Sequence, residues 1–424
     1  MKLGDIDLSD VHVFEQGVPY DYFAFLRSEH PVSWTARPNG TGFWSVTRYK
    51  DITEVEANPE VFSSRTNVTP AEVPEETLAA TVDRMIILSD PPRHGALRKL
   101  IMSGFTPKAI SRIEEHIRQL AVDSIDAVIE DGVCDFHDVG AHMPIEVVAD
   151  LLGVPAEDRQ NLFNWANAMF GAGDTRVSSN AGMERARREM FGYAMKLAHQ
   201  RRGQPGDDVF SQIAMAEMEG EQLSEFDLGC FFLILATAGN ETTRTQILHG
   251  TKLLIENPEA MQMLRSDLSL LPNAVEEMLR LTSPALAFAR KATQDYQLGG
   301  QTIKAGDQVV MWYCSGSRDE EIFSNPDEFD IHRKNARDHM AFGSKTGIHR
   351  CLGAMLARSE LMAFIKEVVT RLPDIRLDGD IERLRSNFTN GINHMPVRFT
   401  PGKANRAQKI SFYAANADKS YSHA

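Results

Sequence analysis

One stretch, residues 224–256, restricts the fold of this chain more than any other. Ser224 is a candidate N-cap, and Asn257-Pro258 ends the helical pattern. The predicted helix is roughly 45 Å long, and its middle, residues 230–238 (CFFLILATA), is apolar on every face. A helix of this kind is buried at the centre of a large helical domain. The apolar run is about half as long as a membrane span requires.

The centre of this predicted helix carries polar residues, in the sequence AGNETT at 238–243. Polar side chains inside a buried helix need a partner or a function. An acid followed by a hydroxyl, here Glu241 and Thr242, can pass protons to a reacting group. The alternative is structural, because a threonine hydroxyl that bonds to a preceding carbonyl only bends the helix.

A second informative stretch surrounds Cys351. It has the pattern G-x-H-x-C-x-G over residues 347–353, and an apolar pattern with helical spacing follows. A cysteine just before a helix faces the positive end of the helix dipole, which favours the thiolate. Thiolate is a haem-iron ligand that promotes O–O cleavage. The alternative is a buried cysteine without chemistry. The other three cysteines are scattered and form no CxxC pair, so neither a zinc site nor a disulfide framework is predicted.

Other motifs accompany these two stretches in a fixed order. His94 and Arg98 form H-x-x-x-R, which places two donors on one helical face. Glu277 and Arg280 form E-x-x-R, a pattern that by itself is common on exposed helices. Arg290 ends a predicted strand. Taken together, these motifs and the two stretches above resemble the cytochrome P-450 family, the haem-thiolate monooxygenases.

The resemblance implies a mainly α fold with a small β region. This is the cytochrome P-450 fold, in which a triangular helical prism surrounds a buried haem. It also implies a single domain over residues 1–402. Residues 403–424 lie beyond the usual end of the family and are polar, so we expect them to form a flexible C-terminal tail.

The resemblance further implies roles for individual residues. Glu241 and Thr242 would be the catalytic pair that delivers protons, and Cys351 would bind the iron of haem b. The residues implied in cofactor binding are His94, Arg98, Ala238, Arg290, His349, Cys351 and Gly353. Those implied in the substrate pocket are Met85, Ile86, Phe170, Leu235, Ala238, Leu286, Phe288 and Ile392, with core filling as the alternative for residues 85–87. Glu277, Arg280 and Arg333 would form a structural cluster near the cysteine.

The cysteine stretch departs from the family in its length. Phe342 precedes Cys351 by nine residues, two more than in the usual family loop, so that Lys345-Thr346 resembles an insertion. Changes in loop length are tolerated when the ends stay in place. We therefore expect a bulge and an intact ligand, and it stays open whether Phe342 packs beside the sulfur.

The reaction implied is hydroxylation of an unactivated C–H bond of a hydrophobic small molecule by dioxygen. The neighbourhoods AGNETTR and NGINHMPVRF resemble bacterial members that act on terpenoids, steroids or branched lipids. Two alternatives are a peroxide-using haem-thiolate enzyme and a non-catalytic haem-binding protein. The first usually lacks an acid–alcohol pair such as Glu241-Thr242, and the second would need a signalling domain that the sequence does not show.

The sequence carries no flavin or nicotinamide fingerprint and no ferredoxin cysteine set. Electrons would therefore come from a 2Fe–2S ferredoxin and an NAD(P)H-dependent ferredoxin reductase. Basic residues would form the docking surface for an acidic ferredoxin, or serve solubility alone: Arg93, Lys99, Lys108, Arg112, Lys345, Arg350 and Arg358.

The formal net charge of −14 argues against a general nucleic-acid binder. The first ten residues are acidic and contain no apolar signal segment. We therefore expect a cytoplasmic monomer that does not span a membrane.

Overall fold

The computed structural model describes residues 1–73, 75–170, 179–218 and 220–405. Helices account for far more of these residues than strands do, which confirms the mainly α prediction. In chain order the helices are α1 (Tyr20–Glu29), α2 (Tyr49–Ala57), α3 (Glu75–Leu78), α4 (Arg93–Ile101), α5 (Pro107–Asp126), α6 (Phe136–Leu151), α7 (Arg159–Phe170), α8 (Asn180–Gly203), α9 (Val209–Ala214), α10 (Glu225–Glu256), α11 (Pro258–Ser266), α12 (Leu271–Thr282), α13 (Tyr313–Gly316) and α14 (Ala354–Arg371).

The strands are short and belong to one five-stranded sheet and several smaller sheets within the described ranges. The large sheet has the order β1-β2-β10-β7-β3, and β10 runs parallel to β2 while the other neighbours are antiparallel. The strands are β1 (Val32–Ala36), β2 (Gly42–Val46), β3 (Phe62–Ser63), β4 (Val133–Asp135), β5 (Glu217–Met218), β6 (Glu221–Gln222), β7 (Ala287–Ala292), β8 (Tyr296–Leu298), β9 (Gln301–Ile303), β10 (Gln308–Trp312), β11 (Arg376–Leu377), β12 (Glu382–Arg383), β13 (Ile392–His394) and β14 (Pro396–Arg398).

Helix α10 is the predicted central helix, and it begins and ends where the sequence indicates. The Ser224 hydroxyl accepts the N–H of Asp227 at 3.1 Å, and the Asp227 carboxylate accepts the Ser224 N–H at 3.1 Å, which completes a capping box. The helix packs against α6, α7, α8, α12 and α14. Gly239 permits a close approach to α6, since a Cβ there would lie 3.2 Å from a methyl of Val148. Across the described ranges, no helix is both long and apolar enough to cross a lipid bilayer.

The predicted structural cluster is a buried ion-pair network. Arg280 donates to both oxygens of the Glu277 carboxylate, at 2.7 and 2.8 Å, and Arg333 donates to the same carboxylate at 2.9 and 3.0 Å. Glu277 and Arg280 have no exposed surface. Arg280 also donates to three carbonyls in the irregular segment 317–328. The network therefore joins α12 to the chain that leads into the cysteine stretch.

The packed chain extends three residues past the predicted end of the domain at residue 402. The Asn405 N–H donates to both carboxylate oxygens of Asp126 at 3.0 Å, and Arg371 donates to Asp126 at 2.5 Å. Arg371 also donates to the Lys403 carbonyl at 3.3 Å. The rest of the predicted tail, residues 406–424, lies outside the described residues.

Candidate active site

The cysteine stretch places Cys351 two residues before Gly353, the N-cap of α14. The Cys351 N–H donates to the Phe342 carbonyl at 3.0 Å, which closes the loop between these two residues. Cys351 retains exposed surface although protein surrounds its thiol. This enclosure raises the pKa of the Cys351 thiol, while the N–H groups of Gly353 and Ala354 and the charge of Arg98 oppose that rise.

The two additional residues form a turn within the loop. Gly343 adopts a φ of +82°, and Gly347 donates its N–H to the Ser344 hydroxyl at 3.2 Å. Lys345 reaches outward and pairs with Asp338 at 2.5 Å. This is the geometry of the expected bulge, and the loop ends stay joined through Phe342 and Cys351.

The aromatic ring of Phe342 packs against Arg358 and His339. The guanidinium carbon of Arg358 lies 4.6 Å from the ring centroid, and the ring of His339 lies 5.6 Å from it. Glu276 holds both neighbours, accepting from Arg358 at 2.7 and 3.0 Å and contacting His339 at 3.1 Å. Phe342 therefore contacts two side chains that Glu276 of α12 holds in place.

Four predicted haem-binding residues converge beside Cys351. His94 and Arg98 lie on α4, Arg290 lies on β7, and His349 belongs to the cysteine stretch. The rings of His94 and His349 are 4.2 Å apart between centroids. The positive charges of Arg98 and Arg290 are close enough to His94 and His349 to act on both imidazole rings. Residues that are far apart in sequence are thus brought to one place.

The electrostatics of this cluster favour an anion. Burial, followed by the charges of Arg98 and Arg290, lowers the pKa of His94 to about 4, and burial with the same charges lowers the pKa of His349. The Nε2 atoms of both histidines are buried without a hydrogen-bond partner. In the described part of the chain, neither arginine forms an ion pair with a carboxylate. Two acidic groups with acceptor oxygens, such as haem propionates, fit these residues.

One face of α10 is open in the middle of an otherwise buried helix. Ala238 is exposed, and Leu235, Gly239 and Thr242 are partly exposed at helical spacing. Leu235 packs against the same apolar cluster as Leu352, the neighbour of Cys351. This open face has the small residue and the hydroxyl that the sequence predicts next to a haem.

The two predicted catalytic side chains point in different directions. The Thr242 hydroxyl donates to the Ala238 carbonyl at 2.8 Å. The Glu241 carboxylate is buried, pairs with Arg244 and accepts the Thr245 hydroxyl at 3.2 Å. Successive residues of a helix are rotated by about 100°, so both cannot face the open side. The bond to a preceding carbonyl that the structural alternative for Thr242 requires is present, and the Glu241 carboxylate is held away from the Thr242 hydroxyl.

Three of the predicted pocket residues, Met85, Ile86 and Leu235, are partly buried and pack against one apolar cluster. Phe288 is also partly exposed, and its ring lies edge-on to Phe388 with centroids 5.4 Å apart. Phe388 was missed because a lone aromatic residue in a loop has no local pattern. The side chain of Phe170 lies outside the described part of the structure.

Two further predicted pocket residues, Leu286 and Ile392, are buried. Leu286 and Ile392 each expose 1% of their surface. Leu286 packs in the core with Phe14 and Trp312, and Ile392 packs in the core with Val397. Leu286 immediately precedes β7, and Ile392 is the first residue of β13. Their role in the substrate pocket stays a prediction.

Comparisons with known proteins give the family. A family model described as Cytochrome P-450 matches residues 10–373. A steroid C26-monooxygenase of Rhodococcus jostii is 36% identical over 405 residues, 93% of this chain and 84% of that protein. A methyl-branched lipid omega-hydroxylase of Mycobacterium bovis is 37% identical over 414 residues, 94% of this chain and 96% of that protein.

A solved structure gives the same result. The Mycobacterium marinum cytochrome P-450 in complex with pseudoionone has a TM-score of 0.83 and 38% identity, and the match covers 90% of this chain and 94% of that one. The chain belongs to the cytochrome P-450 family, whose members are haem-thiolate monooxygenases. It is a monooxygenase with the cytochrome P-450 fold.

Proposed function

We propose that this chain binds haem b through the Cys351 thiolate and hydroxylates a hydrophobic small molecule. The observation that carries the proposal is the cluster of His94, Arg98, Arg290 and His349 beside Cys351. Its two unpartnered histidine nitrogens and two arginines without carboxylate partners match the two propionates of a haem. The face of α10 around Ala238 supplies an open surface on the same site.

When bound, the haem supplies the oxygen chemistry, in which one atom of dioxygen enters a C–H bond and the other leaves as water. The protein supplies the thiolate, the protons and the exclusion of water. Thr242 donates to a carbonyl, so the lone pairs of its hydroxyl stay available to accept a proton donor on the open face. Glu241 would deliver protons only after exchanging Arg244 for a water molecule or for solvent, through rotation of its side chain.

An apolar substrate class fits the described lining. Met85, Ile86, Leu235, Phe288 and Phe388 offer aliphatic and aromatic surface without charge, which holds a ligand by shape. Similar proteins act on steroids and methyl-branched lipids, and one is solved in complex with pseudoionone. We infer a steroid, branched lipid or terpenoid as the substrate.

We also infer that a 2Fe–2S ferredoxin, itself reduced by an NAD(P)H-dependent reductase, delivers electrons in the cytoplasm. Five of the predicted docking residues form no ion pair within the described ranges, but one of them, Arg93, donates to the Asp83 carbonyl at 3.0 Å. The other four, whose guanidinium or ammonium groups are not held in this way within those ranges, are Lys99, Lys108, Arg112 and Arg350. Lys345 and Arg358 are paired with Asp338 and Glu276. Electrostatic docking would therefore rest on Lys99, Lys108, Arg112 and Arg350.

The spectrum of the reduced, carbon-monoxide-bound protein tests this proposal. A strongly red-shifted Soret band is expected, because thiolate ligation by Cys351 produces it. A band at the position of histidine-ligated haem would contradict the proposal. Titration with steroids, branched fatty acids and terpenoids should then perturb the ferric spectrum, and turnover with ferredoxin, reductase and dioxygen should give a monohydroxylated product. Product formed only with peroxide would favour the peroxide-using alternative.

A further inference from the structure

Glu56 is a buried carboxylate in an unfavourable place. It lies in the last turn of α2 and exposes 5% of its surface. The negative end of the helix dipole disfavours an acid there, and burial disfavours its charge. Such a residue needs compensating partners.

The partners of Glu56 are neutral and come from distant segments. The Tyr313 hydroxyl donates to one carboxylate oxygen, and the Ser344 N–H donates to the other at 2.5 Å. Among the ion pairs of the described residues, none includes Glu56. The carboxylates at Glu241, Glu276 and Glu277 are, by contrast, all paired with cations. Glu56 therefore holds loop backbone instead of balancing a charge.

The carboxylate fills the concave side of the expanded loop. A Cβ at Gly347 would lie 3.1 Å from the carboxyl carbon of Glu56, and one at Gly343 would lie 3.4 Å from an oxygen. Gly343 and Gly347 bracket Ser344 and the two additional residues, Lys345-Thr346. The segment 343–347 is thus wrapped around this single side chain.

We propose that Glu56 is a positioning residue for the thiolate ligand, and that it fixes segment 343–347 so that Phe342 and Cys351 stay joined across the longer loop. Glu56 thereby links the loop to α2, on which it lies, and to Tyr313 at the start of α13. This inference rests on the proposed function, in which Cys351 binds the haem.

The test compares haem-loaded variants by the Soret band of the reduced carbon-monoxide complex. Glu56→Ala should lower the ratio of the thiolate-type band to the non-thiolate band roughly tenfold, because one buried hydrogen-bond acceptor is lost. Glu56→Gln should restore the wild-type band, since its amide can accept from Ser344 and donate to Tyr313. Glu54→Ala is the control, because Glu54 is exposed on the same helix and accepts the Tyr296 hydroxyl at 2.9 Å.

The inference would be overturned if the unmodified protein shows the thiolate-type band and Glu56→Ala shows the same band. A wild-type protein without the thiolate band would instead contradict the proposed function. If Glu56→Ala does not fold, Glu56→Asp is measured instead. Its shorter side chain should produce a partial shift towards the non-thiolate band. An unchanged band in Glu56→Asp would contradict the positioning role.

A second comparison tests the link to the longer loop. Deleting Lys345-Thr346 shortens the segment that Glu56 holds, so Glu56→Ala should shift the band less in the deleted protein than in the full loop. An equal shift in both backgrounds would overturn this part of the inference.

Discussion

Glu241 and Arg244 form an ion pair one turn apart inside α10, and both side chains are buried. Arg244 also donates to the Asn167 side chain on α7 at 2.9 Å. The acid of the helix motif is therefore held by a neighbour on its own helix and, through that neighbour, by a second helix. This contact couples the position of the Glu241 carboxylate to the placement of α7.

Replacing Arg244 by methionine should destabilise the protein by about 3–5 kcal/mol, because it leaves the Glu241 carboxylate buried without its cation. Denaturant unfolding of the haem-loaded protein measures the change. Arg187→Met is the matched control, since Arg187 and Glu184 have the same spacing but are exposed, and such pairs contribute at most about 1 kcal/mol. Equal losses of unfolding free energy in the two variants would show that the buried Glu241–Arg244 pair stabilises the protein no more than the exposed pair does.

Thr242→Ala should lower product formation by roughly a hundredfold while dioxygen consumption continues, because the hydroxyl that accepts a delivered proton is removed. The ratio of product to dioxygen consumed measures this uncoupling. Thr237→Ala removes the same kind of bond, since the Thr237 hydroxyl donates to the Leu233 carbonyl at 2.8 Å on the same helix. Similar coupling in both variants would leave Thr242 with a structural role only.

Cys351→Ser should abolish the strongly red-shifted Soret band and reduce dioxygen-dependent hydroxylation to background, since a hydroxyl is a much weaker haem ligand than a thiolate. Cys134→Ser, at a partly buried cysteine on β4, should keep both properties. Spectra of both variants in the reduced, carbon-monoxide-bound form show which cysteine binds the haem iron. A red-shifted band in Cys351→Ser would exclude Cys351 as the ligand.

Glu276 gives the protein a pH-dependent contribution to stability. Burial alone would raise the pKa of Glu276, but hydrogen bonds and charge from His339 and Arg358 lower it from 4.5 to about 2. The contribution of about 3 kcal/mol is present above the unfolded-state pKa and is lost as the pH falls from about 4.5 to about 2. Unfolding measured between pH 7 and pH 3 should show this loss in wild type.

The Glu276→Gln variant should be less stable at pH 7 and should lack this part of the pH dependence. The exposed Glu382→Gln variant should follow the wild-type curve. If Glu276→Gln and wild type lose stability in parallel between pH 5 and pH 3, the assignment to Glu276 is wrong.

Arg112→Glu should slow ferredoxin association by roughly tenfold at low ionic strength, and the effect should shrink as salt is added. Arg112 is exposed and has no ion pair in the described ranges, so its charge is available to a partner. Lys345→Ala should change the rate much less, because Asp338 already balances Lys345 at 2.5 Å. Stopped-flow reduction of the haem by ferredoxin measures both. A larger change in the association rate for Lys345→Ala would indicate that ferredoxin docks on the longer loop.

The sequence by itself determined the elements whose signals are local. The capping box at Ser224, the buried apolar run and the helix after Cys351 are continuous in the chain, so α10 and α14 were predictable. The pairing of Glu277 with Arg333 was predictable only through the family resemblance, since no local pattern joins residues 56 positions apart.

The tertiary structure alone decided which side chains meet. Glu56 contacts Ser344 across 288 residues, and no periodicity or spacing indicates that contact. The choice of Arg244 as the partner of Glu241, and the burial of Leu286 and Ile392 in cores, depend on how strands and helices are rotated against one another. Local patterns determine which elements form, whereas the partners of each side chain depend on long-range packing, which leaves no continuous record in the sequence.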